Sequence, residues 1–409
     1  MGYEVRLTVR MTTTTNRRAA DEVDTTVEVG PIAHGGHCVA RLDGRVVFVR
    51  HALPGERVRV RVTDTSHEKF WRADAIEVLA ASPDRVESRC TVSGPGRCGG
   101  CDFQHVSLAG QRRLKAAVLA EQLDRLAGIA WDGVVEAVES PGTEDGLGWR
   151  TRMRYQVDDS GRAGLRRHRS HEIEPLPEGG CPIAHPAAPS VTDQAWPPGA
   201  EMLAVSAGSG GALLVDGVVE QGNREVTEHA AGRDWRLAAD GFWQVHPGAA
   251  DTLVEAVLAG LEPGPGERAF DLYCGVGLFA GALIDAGAQT WGVEWSREAI
   301  AYARRNVPEA RFTAGKVERV IRTMPKRTDL VVLDPPRTGA GKDVVDAIVA
   351  RRPRAIAYVA CDPAALARDL ARAARGGYRP VGIRAFDLFP MTHHLETVAV
   401  LTKVRSDQR

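Results

Sequence analysis

From about residue 246 onwards, predicted helices alternate regularly with short apolar strands. This alternation predicts right-handed βαβ units, and therefore a doubly wound, Rossmann-like α/β domain over residues 246–409. Ligands of such sheets bind at the carboxyl ends of the strands, so residues that follow each strand are candidates for a site. The predicted strands are Arg268–Leu272, Thr290–Val293, Asp329–Leu333, Ala355–Val359, Arg379–Phe386 and Thr397–Thr402, and the predicted helices are Asp251–Leu261, Leu278–Ala286, Arg297–Asn306, Lys342–Ala350 and Pro363–Arg375.

Residues 24–82 have a different pattern, because short strands rich in Val and Arg alternate with turn residues. Several short strands in a segment of this length predict a small OB-like β-barrel, a fold that commonly binds nucleic acid. A β-domain without any ligand is the alternative interpretation. The predicted strands are Thr26–Val29, Arg45–Val49, Glu56–Val62 and Trp71–Leu79, with turns at Leu42–Gly44 and Leu53–Gly55.

The region in between, residues 83–245, is predicted to be a mixed α+β central domain. An amphipathic helix is expected at Leu108–Ala127, and strands are expected near Arg150–Val157 and Gly164–Arg167. The Pro- and Ala-rich stretch His185–Ala200 has no periodicity and predicts a surface loop.

Composition and charge limit the classes of protein open to this chain. No apolar run approaches the roughly 18 residues of a membrane span, and residues 1–23 carry no secretory signal. Those residues predict a disordered tail, with the start at Met1 or Met11, and the protein is expected in the cytoplasm. The net charge of −1 argues against coating nucleic acid by charge alone. The strand-spaced arginines of Arg57–Arg61 and Arg150–Arg154 fit either RNA contacts or solvated strand faces.

A glycine turn follows the first strand of the α/β domain. Within Asp271–Gly277, Gly275 and Gly277 allow the backbone to pass close to a ligand. Glu294 ends the next strand, where an acid can accept hydrogen bonds from both hydroxyls of a ribose. Ala280 stands where a third phosphate-binding glycine would fall, which still allows NAD. S-adenosylmethionine has no pyrophosphate and fits the short turn at least as well; a turn needed only for packing is the alternative.

Two prolines follow the strand Asp329–Leu333 and fix an extended backbone, which directs Asp334 towards the cleft. Methyltransferases that act on bases often have an acid or an amide followed by two prolines at this point. Arg337 comes next, in place of the aromatic residue that suits amino-nitrogen methylation, and a cation there suits developing negative charge. Enzymes that methylate cytosine C5 in RNA commonly carry a cysteine beside the first proline. Its absence beside Pro335 favours uracil.

Cys361 follows the strand Ala355–Val359, and Glu396 lies later in the same predicted sheet. A thiol at the mouth of a cofactor site with a separate acid indicates covalent catalysis with its own proton acceptor. Uracil C5 is too weakly nucleophilic to take a methyl group until a thiolate adds to C6, and a base must afterwards remove the C5 proton. Cys361, Glu396 and Arg337 provide the thiol, the base and a cation near O4. The alternatives are a buried small hydrophobe for Cys361 and a surface carboxylate for Glu396, and Cys274 is interpreted as packing.

The remaining cysteines suggest a separate site. The chain has seven cysteines, an odd number without a secretory signal, which argues against a disulfide framework. Cys90, Cys98 and Cys101 lie on one Gly-rich loop, and Cys181 can supply a fourth thiol. Four thiolates suit a [4Fe–4S] cluster or a structural zinc ion, and the single C-x-x-C pair favours the cluster. A loop without metal is the third interpretation.

Taken in order, these motifs resemble the class I, S-adenosylmethionine-dependent RNA uridine-C5 methyltransferase family, in the branch with an N-terminal TRAM domain and an iron–sulfur cluster. The resemblance spans residues 24–402 approximately. It rests on Gly35-Gly36, Leu53-Pro54-Gly55-Glu56, Cys98-Gly99-Gly100-Cys101 with Gln104-His105, Phe242-Trp243-Gln244-Val245, Asp271–Gly277, Asp334–Arg337, Cys361-Asp362-Pro363 and His394-Leu395-Glu396-Thr397-Val398.

The resemblance implies Cys361 as nucleophile and Glu396 as base. It implies RNA as the partner, with a uridine of ribosomal or transfer RNA that is pulled out of its stack as the target. The TRAM domain favours ribosomal RNA. The other implied residues are Gln244, Tyr273, Glu294 and Asp334 around the cofactor and the target base, and Cys90, Cys98, Cys101 and Cys181 as cluster ligands.

Several positions depart from the family pattern, among them Val276 and Leu278 in the glycine turn and His37-Cys38 in the barrel. Ala360 and Asp362 flank the nucleophile where Ser and Asn are usual, which leaves the thiol and the base intact. His393 and His394 either help to position Glu396 or are structural histidines. Two other functions stay open: a methyltransferase for a different base, and an RNA-binding iron–sulfur protein whose methyltransferase domain is inactive. A monomer is expected.

Overall fold

A closed five-stranded barrel begins the computed structural model, which describes residues 24–404. Its strands are β1 (Asp24–Ala33), β2 (His37–Leu42), β3 (Arg45–Arg50), β4 (Arg57–Asp64) and β5 (Phe70–Ala80). They pair in the order β1-β2-β3-β5-β4, and β4 closes the ring by pairing with β1. This confirms the predicted OB-like barrel. The predicted tail at residues 1–23, with both candidate starts, lies outside the described residues.

Alternation of Val and Arg explains the wall of the barrel formed by β4. The valines of this strand are buried inside the barrel and the arginines between them face the solvent, as the two-residue repeat of a strand requires. Arg59 pairs with Glu77 at 2.9 Å, and Arg61 pairs with Asp24 at 3.2 Å. Both contacts are exposed ion pairs on the barrel surface.

The middle of the chain contains one long helix and two sheets. Its elements are α1 (Leu108–Ala127), β6 (Val135–Ala137), β7 (Arg152–Val157), β8 (Ala163–Arg166), β9 (Ile173–Pro175), β10 (Glu201–Ala207), β11 (Gly210–Val215), β12 (Val218–Gln221), β13 (Glu225–Ala230) and β14 (Arg233–Ala238). Six strands form a sheet in the order β12-β11-β10-β7-β8-β9, and β13 and β14 form a separate pair. Helix α1 begins at Ser107, whose hydroxyl accepts the N–H of Gly110, and ends at left-handed Gly128.

The C-terminal part is a doubly wound sheet, as predicted. Its elements are α2 (Ala249–Leu261), β15 (Arg268–Leu272), α3 (Leu278–Asp285), β16 (Gln289–Glu294), α4 (Arg297–Asn306), β17 (Arg311–Ala314), α5 (Val317–Val320), a 3₁₀ turn (Ile321–Thr323), β18 (Leu330–Leu333), α6 (Gly341–Ala350), β19 (Ala355–Ala360), α7 (Pro363–Arg375), β20 (Tyr378–Asp387) and β21 (Glu396–Lys403). The strand order is β17-β16-β15-β18-β19-β21-β20-β6. Strands β15 to β19 are parallel, and β21 runs antiparallel to both of its neighbours.

Two apolar layers cover the faces of this sheet. One contains buried residues of α2, α3 and α4, and the other contains buried residues of α1, α5, α6 and α7. Helix α1 and strand β6 precede the sheet in the chain, yet α1 packs on its face and β6 forms its edge. Every helix between residues 24 and 404 is too short or too polar to cross a bilayer.

The strand order reverses at β15, which places a site at that point. From β15 the chain winds out to β16 and β17, then returns to β18 on the other side of β15. A crevice opens where two such halves diverge, at the carboxyl ends of the strands. Residues after β15, β16, β18 and β19 therefore meet at the same edge, and those are the residues that carry the sequence motifs.

Candidate active site

One cavity of about 790 Å³ lies at this edge of the sheet. It brings together eight of the nine residues predicted for the cofactor and for catalysis. They are Gln244, Tyr273, Gly275, Glu294, Asp334, Arg337, Cys361 and Glu396. The ninth, Gly277, does not line the cavity; it is the N-terminal cap of α3, with φ of 99°.

The glycine turn after β15 forms the floor of the cofactor half. Tyr273, Gly275 and Gly277 all have positive φ, a conformation that favours glycine and makes the turn tight. The Gly275 N–H donates to Glu294 at 3.4 Å, and the second carboxylate oxygen of Glu294 accepts the Ser296 N–H at 2.8 Å. The carboxylate is thus held at the end of β16, where it can accept from ribose hydroxyls.

Two exposed aromatic residues at this cavity were not assigned a role from the sequence. Trp295 directly follows Glu294 and is 72% exposed, and Phe242 is 71% exposed. Both side chains line the cavity, and large apolar surface exposed at a cavity mouth indicates a ligand surface. Trp295 could have been predicted as a cavity residue from the sequence, because it directly follows Glu294. Phe242 lies in the motif that contains Gln244, whereas Trp243 between them is buried against Trp235.

Cys361 lies directly after β19, as the sequence predicted. Asp362 caps the following helix by accepting the Ala365 N–H at 2.7 Å, so the turn that presents the thiol is fixed. Burial raises the pKa of Cys361 to about 12, and the carboxyl groups of Glu396 and Asp334 add to the effect while Arg337 opposes it. In the free protein at neutral pH the group is therefore a thiol.

Glu396 begins β21 and is almost fully buried, with 4% of its surface exposed. Its Oε1 has no hydrogen-bond partner, which is uncommon for a buried polar atom in a folded protein. Burial raises the pKa of Glu396 well above its usual value, Asp334 raises it further, and Arg337 lowers it. Burial likewise raises the pKa of Asp334 to about 7. Two acids with raised pKa values thus share this cavity with one thiol.

Arg337 follows the two prolines after β18. Its Nη2 lies 3.1 Å from Nε2 of His394, so this histidine contacts the arginine rather than Glu396. Burial, together with His393 and Arg337, lowers the pKa of His394 to about 3, so the ring is neutral and accepts the hydrogen bond. The neighbouring His393 pairs with Asp102 at 2.6 Å.

The four predicted cluster cysteines line a second cavity of about 410 Å³. The Gly100 N–H points at the Cys98 sulfur at 3.4 Å, and the Gln104 amide nitrogen lies 3.6 Å from the Cys101 sulfur. Burial raises the pKa of Cys181 to about 11. Within residues 24–404, no three His, Cys, Asp or Glu side chains are arranged to hold a single metal ion.

The two cavities adjoin each other. Arg150, Gly241, Phe242 and Val245 line both of them. The predicted basic run Arg150–Arg154 is therefore divided in the structure. Arg150 lines both cavities, whereas Arg152 lines the cysteine cavity alone, is buried and donates to the Ala239 carbonyl at 2.7 Å.

Fold and cavity together define an S-adenosylmethionine-dependent methyltransferase with an N-terminal barrel. The TRAM domain family matches residues 25–76, and the tRNA (Uracil-5-)-methyltransferase family matches residues 321–404. The second match contains Arg337, Cys361 and Glu396. Comparison with whole proteins extends the likeness to nearly the full chain.

An RNA methyltransferase of Streptomyces avermitilis without an assigned target is 50% identical over 424 residues, covering 92% of this chain and 97% of that protein. The 23S rRNA (uracil(1939)-C(5))-methyltransferase RlmD of Thiobacillus denitrificans is 31% identical over 438 residues. The match covers 92% of this chain and 99% of that protein. The structure of Pyrococcus abyssi tRNA (uracil-54, C5)-methyltransferase with S-adenosyl-L-homocysteine superimposes with a TM-score of 0.68 at 24% identity, covering 92% and 99%. That likeness shows the fold.

This chain belongs to the family of S-adenosylmethionine-dependent RNA uracil-C5 methyltransferases that carry a TRAM domain. The predicted family and the predicted fold class are therefore confirmed. The individual roles of the cavity residues, the domain boundaries and the iron–sulfur cluster remain predictions.

Proposed function

We propose that this protein methylates C5 of a uridine in structured ribosomal RNA through a covalent bond between Cys361 and C6 of the base. One observation carries the proposal: Cys361, Glu396 and Arg337 line the same cavity as the glycine turn and Glu294. S-adenosylmethionine, when bound, supplies an electrophilic methyl group. Gln244, Tyr273, Gly275, Glu294 and Asp334 would surround it and the target base.

Addition of Cys361 is the first step assigned to the chain. The Cys361 thiol first gives up its proton to solvent water and the resulting thiolate forms a bond to C6. The electron pair of the C5–C6 double bond moves towards O4 as an enolate. The Arg337 guanidinium supports this developing negative charge, and it also favours the thiolate. C5 then has the electron density to take the methyl group.

Removal of the C5 proton is the second step. Glu396 accepts this proton, the C5–C6 double bond forms again, and the thiolate leaves C6. A carboxylate with a raised pKa is a stronger base than an ordinary one, and the unpaired Oε1 of Glu396 leaves a position for the proton. The base product carries the methyl group in place of the proton.

Structured RNA as the substrate is supported by a row of aromatic rings on the barrel. His37 and Phe48 lie 4.6 Å apart between ring centroids, Phe48 and Phe70 lie 5.2 Å apart, and His67 stacks on Phe70 at 4.3 Å. Arg72 lies over the Phe70 ring. Aromatic rings with nearby cations suit unpaired bases and their phosphates. Ribosomal RNA is favoured because the relative with a named RNA at 31% identity modifies 23S rRNA.

The cysteine cavity is the place proposed for a [4Fe–4S] cluster. Cys90, Cys98, Cys101 and Cys181 line one space, and four thiolates around one space would suit such a cluster. Amide N–H groups directed at sulfur, as at Cys98 and Cys101, are the contacts that tune such clusters. With four cysteine ligands the cluster would be structural, holding the loop beside the RNA-facing cavity.

The test is methylation of unmodified RNA by anaerobically purified protein. Ribosomal and transfer RNA are incubated separately with S-adenosylmethionine, digested to nucleosides and analysed by mass spectrometry, with Cys361→Ala as the control. We expect 5-methyluridine in ribosomal RNA. Methylated cytosine would support the alternative of another base. Cofactor binding without any methylated nucleoside would support an inactive RNA-binding protein and contradict the proposal.

A further inference from the structure

A chain of contacts joins the barrel to the catalytic arginine. Arg50 at the end of β3 donates to Asp102 at 3.2 Å, and the other oxygen of Asp102 lies 2.6 Å from Nδ1 of His393. The His393 ring packs on the His394 ring with centroids 4.1 Å apart. His394 in turn accepts from Arg337 at 3.1 Å.

Asp102 fixes both the ring and the backbone of His393. The same carboxylate oxygen that contacts Nδ1 also accepts the His393 N–H at 3.1 Å. The Asp102 N–H donates to the Met391 carbonyl at 2.9 Å, so the two loops are joined in both directions. A ring held by its own nitrogen and its own backbone has little freedom to rotate away from His394.

Arg337 needs such support, because its side chain is long and lies at an exposed position. Among the described residues, His394 is the hydrogen-bond partner that the structure gives its guanidinium. Because Nε2 of His394 accepts this bond, the ring proton is on Nδ1. The orientation of Arg337 therefore depends on the orientation of one neutral imidazole.

We propose that Asp102 and His393 are positioning residues, which hold His394 and thereby keep the Arg337 guanidinium directed at the target base. The proposal rests on the role of Arg337 in the proposed function. It also assigns a task to the loop of Cys98 and Cys101: Asp102 directly follows Cys101, so this loop supports the catalytic arginine from outside the cavity.

The test compares Asp102→Asn and His393→Phe with the wild type in steady-state methylation of unmodified ribosomal RNA. Asn retains the size of Asp and can still accept the His393 N–H, and Phe retains a ring beside His394 without Nδ1. We expect kcat to fall about 10- to 100-fold in each variant, as for a misplaced catalytic group. The KM values for RNA and for S-adenosylmethionine should stay the same. Asp285→Asn, which removes an exposed ion pair with Arg233, is the matched control with wild-type kcat.

An Arg337→Ala background separates positioning from a general structural effect. Asp102→Asn should cause no further loss there, because the residue that it positions is gone. A further loss in that background, wild-type kcat in either single variant, or a raised KM for RNA at unchanged kcat would overturn the proposal. Absence of 5-methyluridine from the wild type itself would instead contradict the proposed function, on which the proposal depends.

Discussion

At the scale of single residues, strand register explains why a thiol and a carboxyl group meet. Strands β19 and β21 are antiparallel, and Ala360 pairs with Thr397. One step further along both strands places Cys361 opposite Glu396, although 35 positions separate them in the sequence. Glu396 then raises the pKa of Cys361, and Arg337 offsets part of this effect. The proposed nucleophile and base are thus positioned by the backbone itself.

Removal of the thiol gives the first prediction. Cys361→Ala should abolish 5-methyluridine formation, because no other described thiol lines the main cavity. S-adenosylmethionine binding should remain close to wild type, since the glycine turn and Glu294 are untouched. The measurements are nucleoside mass spectrometry and calorimetric titration with the cofactor. Full activity of the variant would rule out Cys361 as the nucleophile.

Replacement of the base should stop the reaction one step later. Glu396→Gln keeps the size of the side chain but cannot take the C5 proton, so the covalent protein–RNA adduct should accumulate. Loss of the carboxylate also removes a negative charge that raises the pKa of Cys361, so adduct formation should not be slowed. The adduct is measured with labelled RNA on a denaturing gel, and the Cys361→Ala, Glu396→Gln double variant should show none. An adduct-free single variant would argue against Glu396 as the base.

At the scale of elements, a buried acid supports the glycine turn. Helix α3 begins at Gly277, which has no side chain to cap it. Asp271 in β15 caps the helix instead, because its Oδ2 accepts the Ala280 N–H at 2.8 Å. Burial raises the pKa of Asp271 to about 8, while its hydrogen bond to Ala280 opposes the shift. The cofactor turn is thus joined to its helix through a proton-binding group.

This raised pKa predicts how stability depends on pH. The pKa of this carboxyl group is near 3.8 in the unfolded chain and near 8 in the folded protein. Between those two pH values the folded state therefore binds one more proton than the unfolded state. The stabilisation of the folded state by this bound proton is complete below about pH 4 and is lost as the pH rises to about 8. Asp271→Asn does not titrate, so its thermal midpoint should fall less between pH 5 and pH 9 than that of the wild type. We expect a difference of at least about 3 °C, taking about 1.4 kcal/mol for each pKa unit and about 2–4 °C for each kcal/mol.

Calorimetry at several pH values tests this prediction. Asp285→Asn, at an exposed position on the same helix, is the control that should keep the wild-type pH dependence. Equal midpoint shifts in the wild type and Asp271→Asn would show that Asp271 does not hold the extra proton.

A buried strand and two amphipathic helices were the most predictable part of the fold. The strand Arg268–Leu272 and the helices Arg297–Asn306 and Pro363–Arg375 have the predicted bounds. Short elements with one buried residue and little periodicity, such as β17, were missed, as was α5. The hairpins from β10 to β14 were missed as well. Long apolar strands and helix caps can be inferred from the local sequence. Short strands cannot, because their formation depends on pairing partners elsewhere in the chain.

At the scale of the whole molecule, the barrel docks beside the catalytic loop. His34 lies 3.1 Å from Asp362, the residue after the nucleophile, and Asp102 meets His393 across 291 positions of sequence. The residues of the main cavity were predictable because strand ends in an α/β fold converge by rule. The contacts of His34, Asp102 and His393 were not, because nothing in a local pattern states which surfaces two domains share.

The barrel turn at Gly36 packs tightly against His393 and Asp102, and this contact gives the last prediction. Gly36 has φ of +77°, and a Cβ there would lie 2.7 Å from Cβ of His393 and 3.2 Å from Cβ of Asp102. Gly36→Ala should therefore push the barrel turn away from the loop of His393 and His394, which contacts Arg337. Gly44, in the turn between β2 and β3, has φ of +79° and no atom within 4 Å of such a Cβ. Gly44→Ala thus carries a similar backbone strain of about 1–2 kcal/mol without the collision.

Comparison of the two alanine variants separates docking from strain. Both should lower the thermal midpoint, since both place alanine in the left-handed region, and Gly36→Ala should lower it further because of the collision. Gly36→Ala alone should reduce kcat/KM for RNA, by about 10-fold or more if the catalytic groups are displaced. Binding of S-adenosylmethionine should be unchanged in both, because the glycine turn lies in a different part of the cavity. Equal activity of the two variants would mean that the barrel binds RNA without helping to hold the catalytic loop in place.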